Sequence, residues 1–94
     1  MQEDIEELTH LERLAAELTQ HGLSAQVITK GRRLCVKVAN PDTPQLNERV
    51  LCDRADDGSW CYWWPWKQPI GSVDDLELVV GKIAAVLRSV GGGS

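Results

Sequence analysis

The sequence predicts an α+β fold: a two-layer sandwich with N- and C-terminal helices on one face of a four-stranded antiparallel sheet, in the order α-β-β-β-β-α. Three observations lead there. Both ends of the chain carry apolar residues at three- and four-residue spacing. The middle alternates apolar and polar residues in short runs separated by Gly, Pro and Asp. A chain of 94 residues has room for one core only, so both patterns belong to one domain over residues 1–90, with 91–94 a flexible Gly/Ser tail.

The first helix is expected over 3–21. Ile5, Leu8, Leu11, Leu14, Ala15 and Leu18 form one apolar stripe, and acidic residues crowd the first turns, where the helix dipole favours them. Gly22 suits the left-handed residue that ends a helix, with hydrophobic Leu23 after it. Residues 24–30 and 33–39 then read as a hairpin. A two-residue turn at Gly31-Arg32 pairs Thr29 with Leu34 and Val27 with Val36, which gathers one apolar set on one face. Residues 40–44 read as a loop because of Pro41 and Pro44.

A third strand is expected over 48–54, a four-residue turn at 55–58, and a fourth strand over 59–64 ended by Pro65. That turn length sets Cys52 opposite Cys61 and Val50 opposite Trp63. Ser72 opens the last helix, with Asp75 three residues on. Leu76, Val79, Val80, Ile83, Val86, Leu87 and Val90 give it a broad apolar face, and Gly91 ends it. Gly81 inside the helix costs about 1 kcal/mol relative to Ala, so it is expected to mark a close approach.

All five aromatic residues sit in one short window: Trp60, Tyr62, Trp63, Trp64 and Trp66. On a strand they alternate between faces. In the expected register Trp63 joins Val50, Cys52 and Cys61 in the core. Trp60, Tyr62 and Trp64 then share the face that the helices leave open, with Ile28, Leu51, Cys35 and Lys37. Such an apolar outer face approaches the limit that soluble monomers tolerate. Trp60, Tyr62, Trp64, Leu51, Ile28 and Lys37 are therefore the expected partner-binding residues, since Trp and Tyr dominate binding hot spots. The competing expectation is that Trp64 and Trp66 fold back over the sheet edge or onto the last helix.

Net charge is −4 and the pI is near 5.0, which disfavours duplex nucleic acid. Charge is uneven, however: residues 30–37 carry Lys30, Arg32, Arg33 and Lys37 with no acid. A single strand stacked on the rings would need an RNP-type motif to be persuasive, and none is present. No apolar run reaches membrane-spanning length, and the acidic start lacks the pattern of a signal peptide, so a cytoplasmic protein is expected. Three cysteines without a CxxC disfavour a secreted disulfide scaffold. Cys52 and Cys61 read as small buried thiols, with a cross-strand disulfide as the alternative.

Glu6, His10, Glu17 and His21 trace one helical stripe and read as helix-stabilising pairs rather than metal ligands. Asp53, Asp56 and Asp57 lack EF-hand spacing and read as turn residues. No GxSxG, HExxH, P-loop or GxGxxG occurs, and no nucleophile, base and orienting group can be assembled. No catalytic residue, metal or cofactor is expected, and the chain is read as not an enzyme.

The run Leu11-Glu12-Arg13-Leu14-Ala15-Ala16-Glu17-Leu18, then His21-Gly22-Leu23, Val38-Ala39-Asn40-Pro41, Glu48-Arg49-Val50 and above all Trp63-Trp64-Pro65-Trp66, resembles small uncharacterised actinobacterial proteins. The resemblance implies a small cytoplasmic accessory protein of the kind associated with helix-turn-helix regulators, and it assigns no catalytic residue. The expected function is a non-enzymatic protein-interaction or regulatory accessory module, self-associating as a homodimer or binding a regulatory partner through its aromatic sheet face. The alternative is a small-molecule carrier with an aromatic pocket between Trp63, Trp66 and the last helix.

Overall fold

The structure is a computed structural model that describes residues 2–31 and 33–92, with side chains over 6–31, 33–43 and 45–87. Ile5 and Val90 as core-facing side chains, Arg32 in the first turn and residues 93–94 of the tail lie outside that description.

Helix α1 (Gln2–Gln20) ends as the sequence indicates. Gly22 adopts φ 85°, the Leu23 N–H donates to the Leu18 carbonyl and the Gly22 N–H to that of Thr19, both at 3.1 Å. This is the Schellman arrangement, and its apolar pair, Leu18 and Leu23, is buried. Strands β1 (Ser24–Ile28) and β2 (Cys35–Asn40) pair antiparallel with Val27 opposite Val36, the expected register. The ladder stops at Ile28 and Cys35, so the expected Thr29–Leu34 pair lies in the loop.

The loop expected at 40–44 is a tight turn followed directly by a long strand, β3 (Thr43–Arg54). Asn40 pairs with Thr43, and its Oδ1 accepts the Asp42 N–H at 2.9 Å. Ala39 then pairs with Asn47, so three residues around Pro44 bulge out of the ladder, where a missing N–H is tolerated.

Strand β4 (Trp60–Trp63) pairs with β3 one residue away from the expected register. Cys52 lies opposite Tyr62, and Leu51 opposite Trp63. The cause is the turn. Gly58 N–H donates to the Ala55 carbonyl at 2.9 Å, and Ala55 N–H to the Ser59 carbonyl at 2.7 Å. With Gly58 at φ 86°, this is a three-residue loop, Asp56-Asp57-Gly58, closed by a glycine bulge. The Asp57 carboxylate accepts the Ser59 N–H at 3.0 Å and its hydroxyl at 2.6 Å. Because side chains alternate along a strand, the slip turns every β4 residue to the other face.

A fifth strand, β5 (Pro69–Ser72), extends the meander beyond the four strands expected, giving the sheet order β1-β2-β3-β4-β5. The β4–β5 turn repeats the same pattern: Lys67 N–H to the Trp64 carbonyl at 3.0 Å, Trp64 N–H to that of Gln68 at 2.8 Å, and Lys67 at φ 65°. Ser72 therefore belongs to a strand rather than to a helix cap. Helix α2 (Leu76–Gly92) starts four residues later and runs through the expected stop at Gly91. The Asp75 carbonyl accepts its first helical bond, from Val79 at 3.0 Å.

Both helices pack on one face. Leu11, Leu14 and Leu18 of α1 and Val79, Val80 and Ile83 of α2 close a core over Val36, Val38, Val50, Cys52, Tyr62 and Ile70. Gly81, expected to mark a close approach, faces open space. Gly71 holds that role: a Cβ there would lie 2.9 Å from Val79 Cγ2. Lys82 Nζ donates to the Ile70 carbonyl at 2.9 Å and ties α2 to β5.

Candidate functional site: the open sheet face

The register slip redistributes the aromatic rings. Tyr62, expected on the open face, is 1 % exposed in the core, and its hydroxyl donates to the His10 carbonyl at 2.6 Å. Burial pushes its ionisation well above the ordinary tyrosine range. Trp64, also expected on the open face, is buried in the same cluster and stacks on Trp66 with centroids 5.2 Å apart. Trp60 is half-buried on the α1 side. Its indole N–H donates to Glu6 Oε2 at 2.7 Å, its ring tilts against His10, and the Arg54 guanidinium lies 5.0 Å from the ring centre. Three of the six expected binding residues therefore face the helices. Ile28, Leu51 and Lys37 keep their expected side, opposite to the core-facing Val27, Val50 and Val38.

The ring on the open face is Trp63, which was expected in the core. It lies opposite Leu51, half-buried, and its indole N–H donates to the Asp53 carbonyl at 3.3 Å. The signal that could have found it is Asp56-Asp57-Gly58 read as a three-residue loop. Trp66 is 56 % exposed at the next turn, its N–H donating to Gln68 Oε1 at 2.9 Å.

Ile28 pairs with Cys35, and Leu51 pairs with Trp63. Because Val36 lies opposite Val50, Cys35 and Leu51 are neighbours on the other side of the sheet. Ile28, Cys35, Leu51 and Trp63 thus form one apolar row across four strands, about 14 Å long at about 4.8 Å per strand. Two shallow hollows flank it and meet at Leu51 and Arg33. One, about 220 Å³, is lined by Trp63, Trp64, Asp53 and Lys67, and the other, about 340 Å³, by Ile28, Cys35, Arg49 and Pro65. Neither of these two hollows is lined by a residue of α2, and Trp63 lies on the sheet face opposite to that helix.

The rim is cationic. Lys30, Arg33, Lys37, Arg49 and Lys67 are all exposed. Lys37 stands directly opposite Arg49 on the ladder, a like-charge pair that a sheet ordinarily avoids. Asp53 is the acid on this side, and Arg33 reaches it at 3.4 Å while also lying 3.7 Å from Glu7. The surplus of acid in a chain of net charge −4 lies elsewhere, including exposed Glu6, Glu12, Asp56, Asp57, Asp74, Asp75 and Glu77.

The cysteines do not pair. Cys52 and Cys61, expected opposite each other, point to opposite faces. All three thiols are free and buried, and burial pushes Cys52 up to about 12. No group of three or more potential metal ligands assembles among the described residues. No described helix is long and apolar enough to cross a membrane. No family model, curated protein or solved structure matches the chain.

Proposed function

We propose that this chain is a non-enzymatic interaction module, accessory to a regulatory protein, and that it binds through its open sheet face. One observation carries the reading: both helices pack on one side, and the apolar row Ile28–Cys35–Leu51–Trp63 lies on the other, with Cys35 buried and Ile28, Leu51 and Trp63 left half-buried where no helix packs. A part-exposed apolar row of this length, rimmed by polar groups, is a common mark of a protein-binding surface. Trp63 replaces Trp60, Tyr62 and Trp64 as its anchor, and Ile28, Leu51 and Lys37 remain members. Three free thiols fit a reducing compartment, so we place the protein in the cytoplasm.

Self-association through this face is the weaker form of the reading. A symmetric aromatic contact draws on several rings, and of the β4 rings Trp63 is the one turned to this face. Stacking two copies face to face would also set the cations of one rim against those of the other.

Site-specific photocrosslinking in cells tests the proposal. A photoreactive residue in place of Lys37 should form a discrete adduct, and the same probe in place of exposed Glu12 on α1 should not. Equal labelling from both positions, or none from Lys37, refutes binding through this face.

A further inference from the structure

We infer that the partner segment seated on the open face is an acidic peptide with aliphatic anchors. The inference rests on the reading of that face as the binding surface and adds the chemistry of its occupant. Three observations support it. First, charge is segregated against the trend of the molecule: an acidic chain gathers Lys30, Arg33, Lys37, Arg49 and Lys67 around one side. A rim of one sign steers and selects partners of the other sign. Second, Lys37 and Arg49 sit directly opposite each other at the border of the apolar row. Their mutual repulsion is a local penalty that a carboxylate between them would reverse. Third, the floor suits branched aliphatic side chains. Ile28, Cys35, Leu51 and Pro65 line one hollow, and Leu51 and Trp63 lie in the other.

The floor also speaks against a single-stranded nucleic acid, the other polyanion with apolar faces. Such strands are held by successive aromatic platforms. Here Trp63 is the β4 ring turned to the sheet face, Tyr62 is in the core, and the Trp64–Trp66 stack sits at the next turn with Trp64 itself buried, so the rings do not run in succession along the face. A second copy of the chain docking by its acidic helices is the remaining occupant, and it would show as concentration-dependent assembly.

The test is a backbone-amide NMR titration of the full chain with three probes: a short synthetic peptide of glutamate and leucine, the same peptide with lysine for glutamate, and oligodeoxythymidine. The glutamate–leucine peptide should shift the amides around Leu51 and Trp63 and leave those of α2 unmoved. Its affinity should drop about tenfold in Lys37→Glu/Arg49→Glu and fall steeply as salt rises to about 0.2 M. The lysine peptide should not bind. Both substitutions are at exposed sites, and unchanged spectra away from the face confirm that the variant folds. Tighter binding of oligodeoxythymidine at the same amides overturns the peptide in favour of nucleic acid. Concentration-dependent broadening of the same amides in the free protein overturns it in favour of a second copy. If no probe shifts the face although a probe at Lys37 crosslinks a partner, the acidic chemistry is wrong and the face stands. If both experiments are blank, both readings fall.

Discussion

Replacing Tyr62 and Trp63 separately by serine tests the register on which the site depends. The structure makes the smaller ring the more important one. Tyr62 is 1 % exposed, contacts the helix layer and donates a 2.6 Å hydrogen bond to the His10 carbonyl. Truncating a buried aromatic side chain costs about 3–5 kcal/mol, and the lost hydrogen bond adds about 1 kcal/mol. A domain of this length has a total stability of roughly 5–14 kcal/mol. Tyr62→Ser should therefore remove about a third or more of it and lower Tm by at least about 16 °C, at about 4–8 °C per kcal/mol. Trp63 is half-buried on the outer face, its indole N–H donating to the Asp53 carbonyl, so Trp63→Ser should cost about 1–2 kcal/mol and leave the protein folded at 25 °C. Urea titrations followed by far-ultraviolet circular dichroism measure both, each variant being fitted to its own folded and unfolded baselines because the rings also contribute to the signal. If Trp63→Ser destabilises as much as Tyr62→Ser, Trp63 is the core residue and the open face loses its anchor.

Three further outcomes follow from the same geometry. Gly71→Ala should destabilise by about 1–3 kcal/mol, because its Cβ meets Val79, while Gly81→Ala, facing open space, should stabilise by about 1 kcal/mol in thermal melts; like signs would contradict the packing of α2 on β5. Lys67 holds a left-handed conformation that an L-residue adopts at a penalty of about 1–2 kcal/mol, so Lys67→Gly should leave stability unchanged or raise it by up to about 1 kcal/mol. His10 is held below its ordinary value of 6.5 first by burial and then by Arg13, and its Nδ1 is buried without a partner. Its folded form resists protonation, so its contribution is present above pH 6.5 and is lost as pH falls through the lowered value. Urea midpoints of His10→Gln should therefore decline less than wild type between pH 7 and 5, and parallel curves would remove His10 as the cause.

The elements legible in the sequence are those whose signal is local. The stripe of α1 and the Gly22 stop depend on residues within one or two turns, and both appear as read. The Val27–Val36 register was legible because only one pairing gathers both apolar sets on one face. β5 was not, since Pro69-Ile70-Gly71-Ser72 has no alternation and its strand character comes from pairing with β4 and cover by α2. Gly81 misled for a related reason: a glycine's neighbours across an interface are not written beside it, and the close approach fell at Gly71.

The orientation of β4 lies between these cases. Either face of Trp60-Cys61-Tyr62-Trp63 is apolar enough for a core, so hydrophobic pattern alone cannot choose, and the choice passes to the turns. Both flanking turns have the same three-residue form, with Gly58 and Lys67 at positive φ, and together they hold the strand in one register. That register does two things at once. It turns Tyr62 inward to meet α1, and it sets Trp63 beside Leu51 to complete the apolar row. Drawing Ala55 into the turn as a fourth residue, so that Arg54 faced Ser59, would restore the pairing of Val50 with Trp63 and of Cys52 with Cys61. It would bury the larger ring and leave Tyr62 on the rim among the cations. The core and the candidate binding face are therefore not independent features of this chain, because one turn length decides both.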